Sequence, residues 1–309
     1  GSEMCIRDRL LIYKIGTQMG EGEKAAIVTL HFTSQEAFYN STSLISKSYT
    51  GKCSEILAKI FRDDRYLRST KKLTLEETAG TKKIVFPNLK PFQAIKLLTR
   101  QSKSKNFGGS PSYLFYETTK GFHYRSVDGM CSQSPAFKYA ETTPDAIDDK
   151  GGQKNVVRNL ESISNYTVNT PRDLIGNAFN GMYASKHTVH DLYNKSVSTR
   201  KYNYHKDFDK DTHLNSQPLA SQSIDTHTTK GISDYDNTIN FVTITTSGKA
   251  FDESGNYSFG SDNLGQIISR RHSRLRQLQN GISLNIEVPG NTFIQAGDTI
   301  DITIGASST

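Results

Sequence analysis

Along the chain, apolar and polar positions alternate, shift to a helical spacing and return to alternation, and each change of period predicts an element. In AIVTLHFTS, Val28, Leu30 and Phe32 alternate with polar neighbours, the period of a half-buried strand, so residues 10–46 read as part of an antiparallel sheet. Past SKSYTGK the spacing changes. Ile56, Leu57, Ile60 and Phe61 fall at i, i+1, i+4 and i+5 and predict a helix over about 54–63 with Ser54 as its N-cap. KKIVFPNLKPFQAIKLLTRQS predicts a short strand and a second helix, with Pro91 in its first turn and Phe92, Ile95, Leu97 and Leu98 on its apolar face. Gly108 and Gly109 lead into YLFYETTKGFHYRS at 113–126, which reads as a hairpin with its turn set at Gly121. Phe115, Tyr116, Phe122 and Tyr124 are expected to pack there against the two helices or a neighbouring surface. Helix, strand, helix and hairpin in this order describe an α+β unit whose helices cover its sheet.

The second half is more polar. Residues 131–172 have little periodicity and hold an exposed loop at TTPDAIDDKGGQK, whereas 181–208 alternates again and predicts a long hairpin. There Val197, Thr199, Lys201 and Asn203 lie on one side, with Tyr202 and Tyr204 on the other. Residues 209–262 are rich in Ser, Thr, Asp and Asn, with one strand signal at NFVTITT. Leu264, Ile267, Ile268, Leu275 and Leu278 mark a helix that Asn280 and Gly281 close, its arginines at 270, 271, 274 and 276 mostly off the apolar stripe. Ile282, Leu284, Ile286 and Val288 alternate, PGN turns the chain, and Ile300, Ile302 and Ile304 alternate again as a barrel-like or sandwich-like β unit.

Composition adds limits rather than a function. The chain has 309 residues, 35% hydrophobic and 22% charged, which suits a polar but foldable protein of two or more domains. No apolar run approaches the roughly 20 residues that cross a bilayer, so no membrane partner is expected. The net charge of +7 is scattered apart from SRRHSRLR at 269–276. Cys5, Cys53 and Cys131 have neither metal-site spacing nor an even count and read as reduced thiols.

Candidate chemistry is sparse. If HTVHD lies on a strand, His187 and His190 point to opposite faces and cannot converge with Asp191 on a metal. DESGNYSFGSDN places its Gly at position 4 of a calcium-type loop rather than 6, so it reads as a polar loop. Asp63 beside Asp64, and Asp148 beside Asp149, diverge and make poor acid–base partners. No catalytic residue, metal or cofactor is therefore expected. Against the RNA-binding strand pattern, Lys120, Gly121, Phe122 and Tyr124 match, but His123, Arg125 and Val127 replace the small, aliphatic and aromatic positions. A single-stranded nucleic-acid-binding module stays as the alternative function.

Six segments in order carry a resemblance: LHFTSQEAFYNSTSLISKSYTGKCSEIL, VFPNLKPFQAIKLLTRQS, SYLFYETTKGFHYRSVDGM, GMYASKHTVHDLYNK, YNYHKDFDKDTHLN and LNIEVPGNTFIQAGDTIDI. Together they resemble the central baseplate hub proteins of T-even-like contractile-tailed phages, from about residue 26 to the end. The resemblance implies a non-enzymatic virion protein of the baseplate, assembled in the host cytoplasm as a homotrimeric ring. Its partners would be the tail tube protein, the spike or tail lysozyme protein and other baseplate proteins, with DNA only as cargo through the bore. It also implies two tube-type antiparallel β-barrel domains with inserted α+β domains. On this chain, 10–46 would be a remnant of the first barrel, 47–172 an α+β domain, 173–208 with 280–309 an incomplete second barrel, and 209–279 an inserted polar domain ending in a helix. Residues 1–9 read as a non-native leader, EMCIRDR resembling a translated sequencing adapter, and both barrels read as truncated. Tyr202, Tyr204, Ile300 and Ile302 are the candidate interface residues. A spike or hub component of a related injection machine shares these barrels and is the other alternative.

Overall fold

A computed structural model of the chain describes residues 10–19, 26–141, 161–169, 173–192, 195–223, 230–245, 249–251, 257–259 and 261–305. The leader at 1–9, the acidic loop from 142 and half of DESGNYSFGSDN lie outside the described residues. Strands β1 (Leu10–Met19) and β2 (Ala26–Ser34) form an antiparallel ribbon whose register slips between Ile12 and Lys14. The slip leaves Tyr13 as an extra residue, so that Ile15 rather than Lys14 continues the face of Leu10 and Ile12. The sheet expected to reach residue 46 is interrupted by α1 (Gln35–Thr42). Buried Glu36 anchors this helix by accepting from Ser69 Oγ at 2.6 Å and facing Lys71 Nζ at 3.2 Å.

The chain continues through β3 (Ile45–Gly51), α2 (Cys53–Arg62), β4 (Leu73–Leu75), β5 (Lys82–Leu89) and α3 (Pro91–Gln101). Then come β6 (Tyr113–Thr118), β7 (Gly121–Ser126) and α4 (Val127–Cys131). β3 pairs antiparallel with β5, and a second sheet runs β4, β7, β6 with β4 parallel to β7. Helix α2 starts one residue earlier than its apolar spacing suggests. The Glu55 carboxylate accepts the Lys52 N–H at 3.4 Å, while Ser54, expected as the cap, is buried and bonds through its N–H to Thr78 Oγ1 at 3.0 Å. Ile56, Leu57, Ile60 and Phe61 of α2 and Ile95 and Leu98 of α3 meet Ile45, Phe86, Tyr113 and Tyr124 in one core. Burial of each such side chain contributes about 1.5–3 kcal/mol.

Further along lie β8 (Phe137–Glu141), β9 (Ser162–Ile163), β10 (Asn165–Asn169), α5 (Leu174–Phe179), β11 (Ala184–Asp191), β12 (Ser196–Asn203) and α6 (Tyr204–Asp207). The remaining elements are β13 (Asn240–Thr245), β14 (Lys249–Phe251), β15 (Tyr257–Phe259), α7 (Ser261–Asn280), β16 (Ser283–Glu287) and β17 (Ile300–Thr303). The long hairpin forms as its alternation predicts, β11 pairing with β12 over its whole length, and β13 adds in parallel on the other side. A second core gathers Met182, Tyr183, Tyr202, Tyr204, Phe208, Ala220 and Ile232.

The fold is mixed α+β, with seven helices among the described residues. Among those residues no barrel closes, because the strands are dispersed over seven sheets of two or three strands. β16 and β17 do not form the hairpin that PGN suggested: β16 pairs with β10, and β17 pairs in parallel with β8. The chain between them is spent crossing the first unit. Asn291 Nδ2 donates to Tyr139 OH at 3.0 Å, Gln133 Nε2 to the Gly297 carbonyl at 3.1 Å, and Thr299 Oγ1 to the Met130 carbonyl at 3.1 Å.

Candidate assembly surface

The β6–β7 hairpin is built as two unlike faces. Phe115 lies opposite Tyr124, and Tyr113, Phe122 and Tyr124 are buried in the first core beneath α2 and α3. Phe122 meets Phe61 edge-on at 4.9 Å and stacks with Phe115 at 5.4 Å. Burial drives the Tyr124 phenol well above its ordinary pKa, and its hydroxyl bonds to Ser102 Oγ inside the core. On the other face Tyr116 stacks on His123 at 5.1 Å, and its hydroxyl reaches Met130 Sδ at 3.4 Å beside Gly297. Burial, with the Arg125 charge second, holds the His123 imidazole below its usual range. Gly121 has φ +116°, and a Cβ there would lie 2.3 Å from the Lys72 carbonyl oxygen. The rings that a nucleic-acid sheet would offer to bases are thus turned into the core or half-covered by the crossing chain, which removes the surface that the nucleic-acid alternative needs.

The interface candidates divide. Tyr202 near the end of β12 and Tyr204 at the start of α6 are buried in the second core and are not available to a neighbour. Ile300 and Ile302 are half-buried on the edge strand β17.

The arginine run, expected off the apolar stripe, lies partly on the packed face of α7. Arg274 Nη2 donates to Asp128 Oδ1 at 2.8 Å and to the Thr212 carbonyl at 2.5 Å, with both partners of the ion pair buried. Asp128 Oδ1 also accepts the Thr212 N–H at 3.0 Å. Arg270 Nε donates to Asp211 Oδ1 at 2.6 Å, and its Nη1 to the Gly108 carbonyl at 2.8 Å. Burial raises the Asp211 carboxyl above its usual range, against the opposing pull of Arg270 and Arg274. This joint ties α4, the 207–215 segment and α7 together. In the same segment the His213 ring stacks on Phe208 at 4.0 Å, and His205 bonds to Ser233 Oγ at 2.6 Å.

What the chain leaves open is apolar and strand-edged. Leu10, Ile12, Ile15, Val28, Leu30 and Phe32 fall on one face of the β1–β2 ribbon, and all are exposed, Ile15 at 63% and Phe32 at 51%. A two-stranded ribbon is marginal alone, and a contiguous exposed apolar face marks an interaction surface. Val197, Val242 and Ile244 stand exposed on the outer face of the β12–β11–β13 sheet, where His190 lies opposite both Val197 and Ile244. On α5, Ile175 and Phe179 are exposed beside an apolar hollow lined by Ala178, Tyr183, Ile232 and Tyr235. Among the described residues no group of three His, Cys, Asp or Glu side chains is placed to hold a metal ion.

No protein-family profile and no curated protein matches the chain. Among solved structures, the tail protein from Neisseria meningitidis MC58 is similar at a TM-score of 0.48 and 11% identity, over 96% of this chain and 69% of that one.

Residues that sequence reasoning missed are polar and distant from one another. Glu76 accepts from Ser104 Oγ at 2.6 Å, Tyr113 OH at 3.0 Å and the Ser126 N–H at 2.7 Å, clamping the two strands of the hairpin at its open end. Nothing in LTLEETAG distinguishes Glu76 from Glu77, which pairs with Lys52 and Lys105 at the surface.

Proposed function

We propose that the chain is a structural subunit of a contractile phage tail, the central baseplate hub, acting by assembly rather than by catalysis. The observation that carries this reading is the β1–β2 ribbon, whose apolar face is exposed from Leu10 to Ile15 and from Val28 to Phe32 and whose two edges have no strand partner among the described residues. In a ring of identical subunits, ribbons and short open sheets gain neighbours, and the tube-type barrels that the described residues leave open would be completed between copies. The sixfold tail tube on one side and the threefold spike on the other would then meet a trimer. Other baseplate proteins would bind its rim, and DNA would pass through its bore. The ordered resemblance of the six sequence segments supports the same reading.

Light scattering on the full chain, alone and mixed with tail tube protein and with spike protein, tests it. The expected outcome is a trimer that binds both. A monodisperse monomer that binds neither overturns the hub assignment.

A further inference from the structure

A cleft of about 500 Å³ opens between α3 and α7, lined by Leu97, Phe241, Ile268 and Leu275 and by Arg100, Arg271 and Arg276. Its described lining contains no carboxylate, whereas the largely buried cations Lys71, Arg270 and Arg274 each face one. Arg271 Nε is buried without a hydrogen-bond partner among the described residues. Burial, and next the charge of Arg100, pull the Arg271 guanidinium below its usual range, and no described residue of the lining offsets the two charges. A guanidinium kept in a half-closed cleft and left unpaired costs stability unless an anion joins it. Arg270, next to it in sequence, and Arg274, about one turn on along the same helix, are by contrast each paired with an aspartate.

We propose that this cleft is a docking site for an acidic segment of a partner protein, with carboxylates for the three guanidiniums and an apolar side chain for the floor between them. The aliphatic floor favours this occupant over a phosphodiester chain, which has charge for the rim but nothing for Leu97, Ile268 and Leu275. The net charge of +7 disfavours a second copy as the source of the anionic segment. Planar guanidiniums pair carboxylates in bidentate fashion, so the site would fix orientation as well as attract. The proposal stands on the cleft alone and does not depend on the hub reading.

The test is fluorescence anisotropy on the full chain with a short fluorescein-labelled peptide of alternating glutamate and leucine. Parallel arms use the same peptide with glutamine for glutamate and a labelled single-stranded oligonucleotide. Binding of the acidic peptide alone is expected, weakened about tenfold in Arg271→Gln and further in Arg100→Gln with Arg271→Gln. Arg65→Gln, at an exposed pair with Asp63, should leave binding unchanged. Thermal unfolding separates the roles: removing an unpaired guanidinium should leave the melting temperature level or raise it, whereas a merely structural arginine would lower it. Equal binding of the glutamine peptide, an unchanged affinity in the double variant, or preference for the oligonucleotide would each overturn the proposal.

Discussion

At Gly121 two constraints coincide. The backbone sits at φ +116°, outside the range of L side chains, and Lys72 approaches so closely that its carbonyl accepts the Phe122 N–H at 2.8 Å. Gly121→Ala should therefore cost about 2 kcal/mol or more in urea unfolding, through strain and loss of the β4–β7 pairing together. A variant as stable as the parent would show that the turn relaxes freely. His187 has a different sensitivity. It is fully buried, its Nε2 lies 2.9 Å from Thr243 Oγ1, and burial lowers its pKa below the ordinary value of 6.5. The unfolded chain then binds a proton on this group before the folded chain does, so its contribution is intact above about pH 6.5 and is lost as pH falls below that value. His187→Gln should flatten the fall of melting temperature between about pH 7 and pH 5 relative to the parent protein. An unchanged slope would exclude His187 as the titrating group, leaving His123, whose pKa is lowered in the same direction.

At the level of elements, what periodicity reports and what it misses separate by sequence distance. Helices α2 and α3 and the β6–β7 and β11–β12 hairpins each bury a face set by spacing within about ten residues, and local spacing predicted all four. Helix α1 escaped, because QEAFYNST has no apolar stripe and is held by the single buried carboxylate of Glu36. The parallel pairing of β8 with β17 joins Phe137 to Ile300, and no local pattern encodes a partner so far along the chain. The Asp128–Arg274 joint is the electrostatic form of the same problem: on sequence alone, Arg274 was one of several surface cations. Its burial makes the prediction asymmetric. Arg274→Ala should destabilise by about 3–5 kcal/mol by leaving Asp128 uncompensated, while Arg274→Met with Asp128→Asn should recover much of that loss. A double-mutant cycle from urea unfolding measures the coupling, and purely additive effects would place the pair outside the stabilising network.

At the scale of the whole molecule, the two cores are closed and the ribbon is not. Tyr113, Tyr124, Phe61 and Phe86 of the first core are essentially solvent-free, whereas Leu10, Ile12, Ile15, Val28, Leu30 and Phe32 on the apolar face of the β1–β2 ribbon are each exposed by two fifths or more. A chain that folded for itself alone would gain by placing lysines on that ribbon, as exposed edge strands commonly do. The apolar face therefore has a use only when another surface meets it, and folding stability and association should respond to different substitutions. Phe32→Lys, opposite Ile12 on the apolar face of the ribbon, should weaken self-association at least tenfold in sedimentation equilibrium, about 1.4 kcal/mol, because a charge would be buried at the contact. Its unfolding midpoint should stay within about 0.5 kcal/mol of the parent, since no residue of either core touches the change. Val85→Lys supplies the comparison. Val85 is 64% exposed on β5 of the first unit, away from the ribbon, and the same charge there should leave association intact. If both lysines weaken association equally, the loss reflects net charge rather than a contact at the ribbon. If neither does, the apolar face of β1–β2 is covered by something other than a copy of this chain.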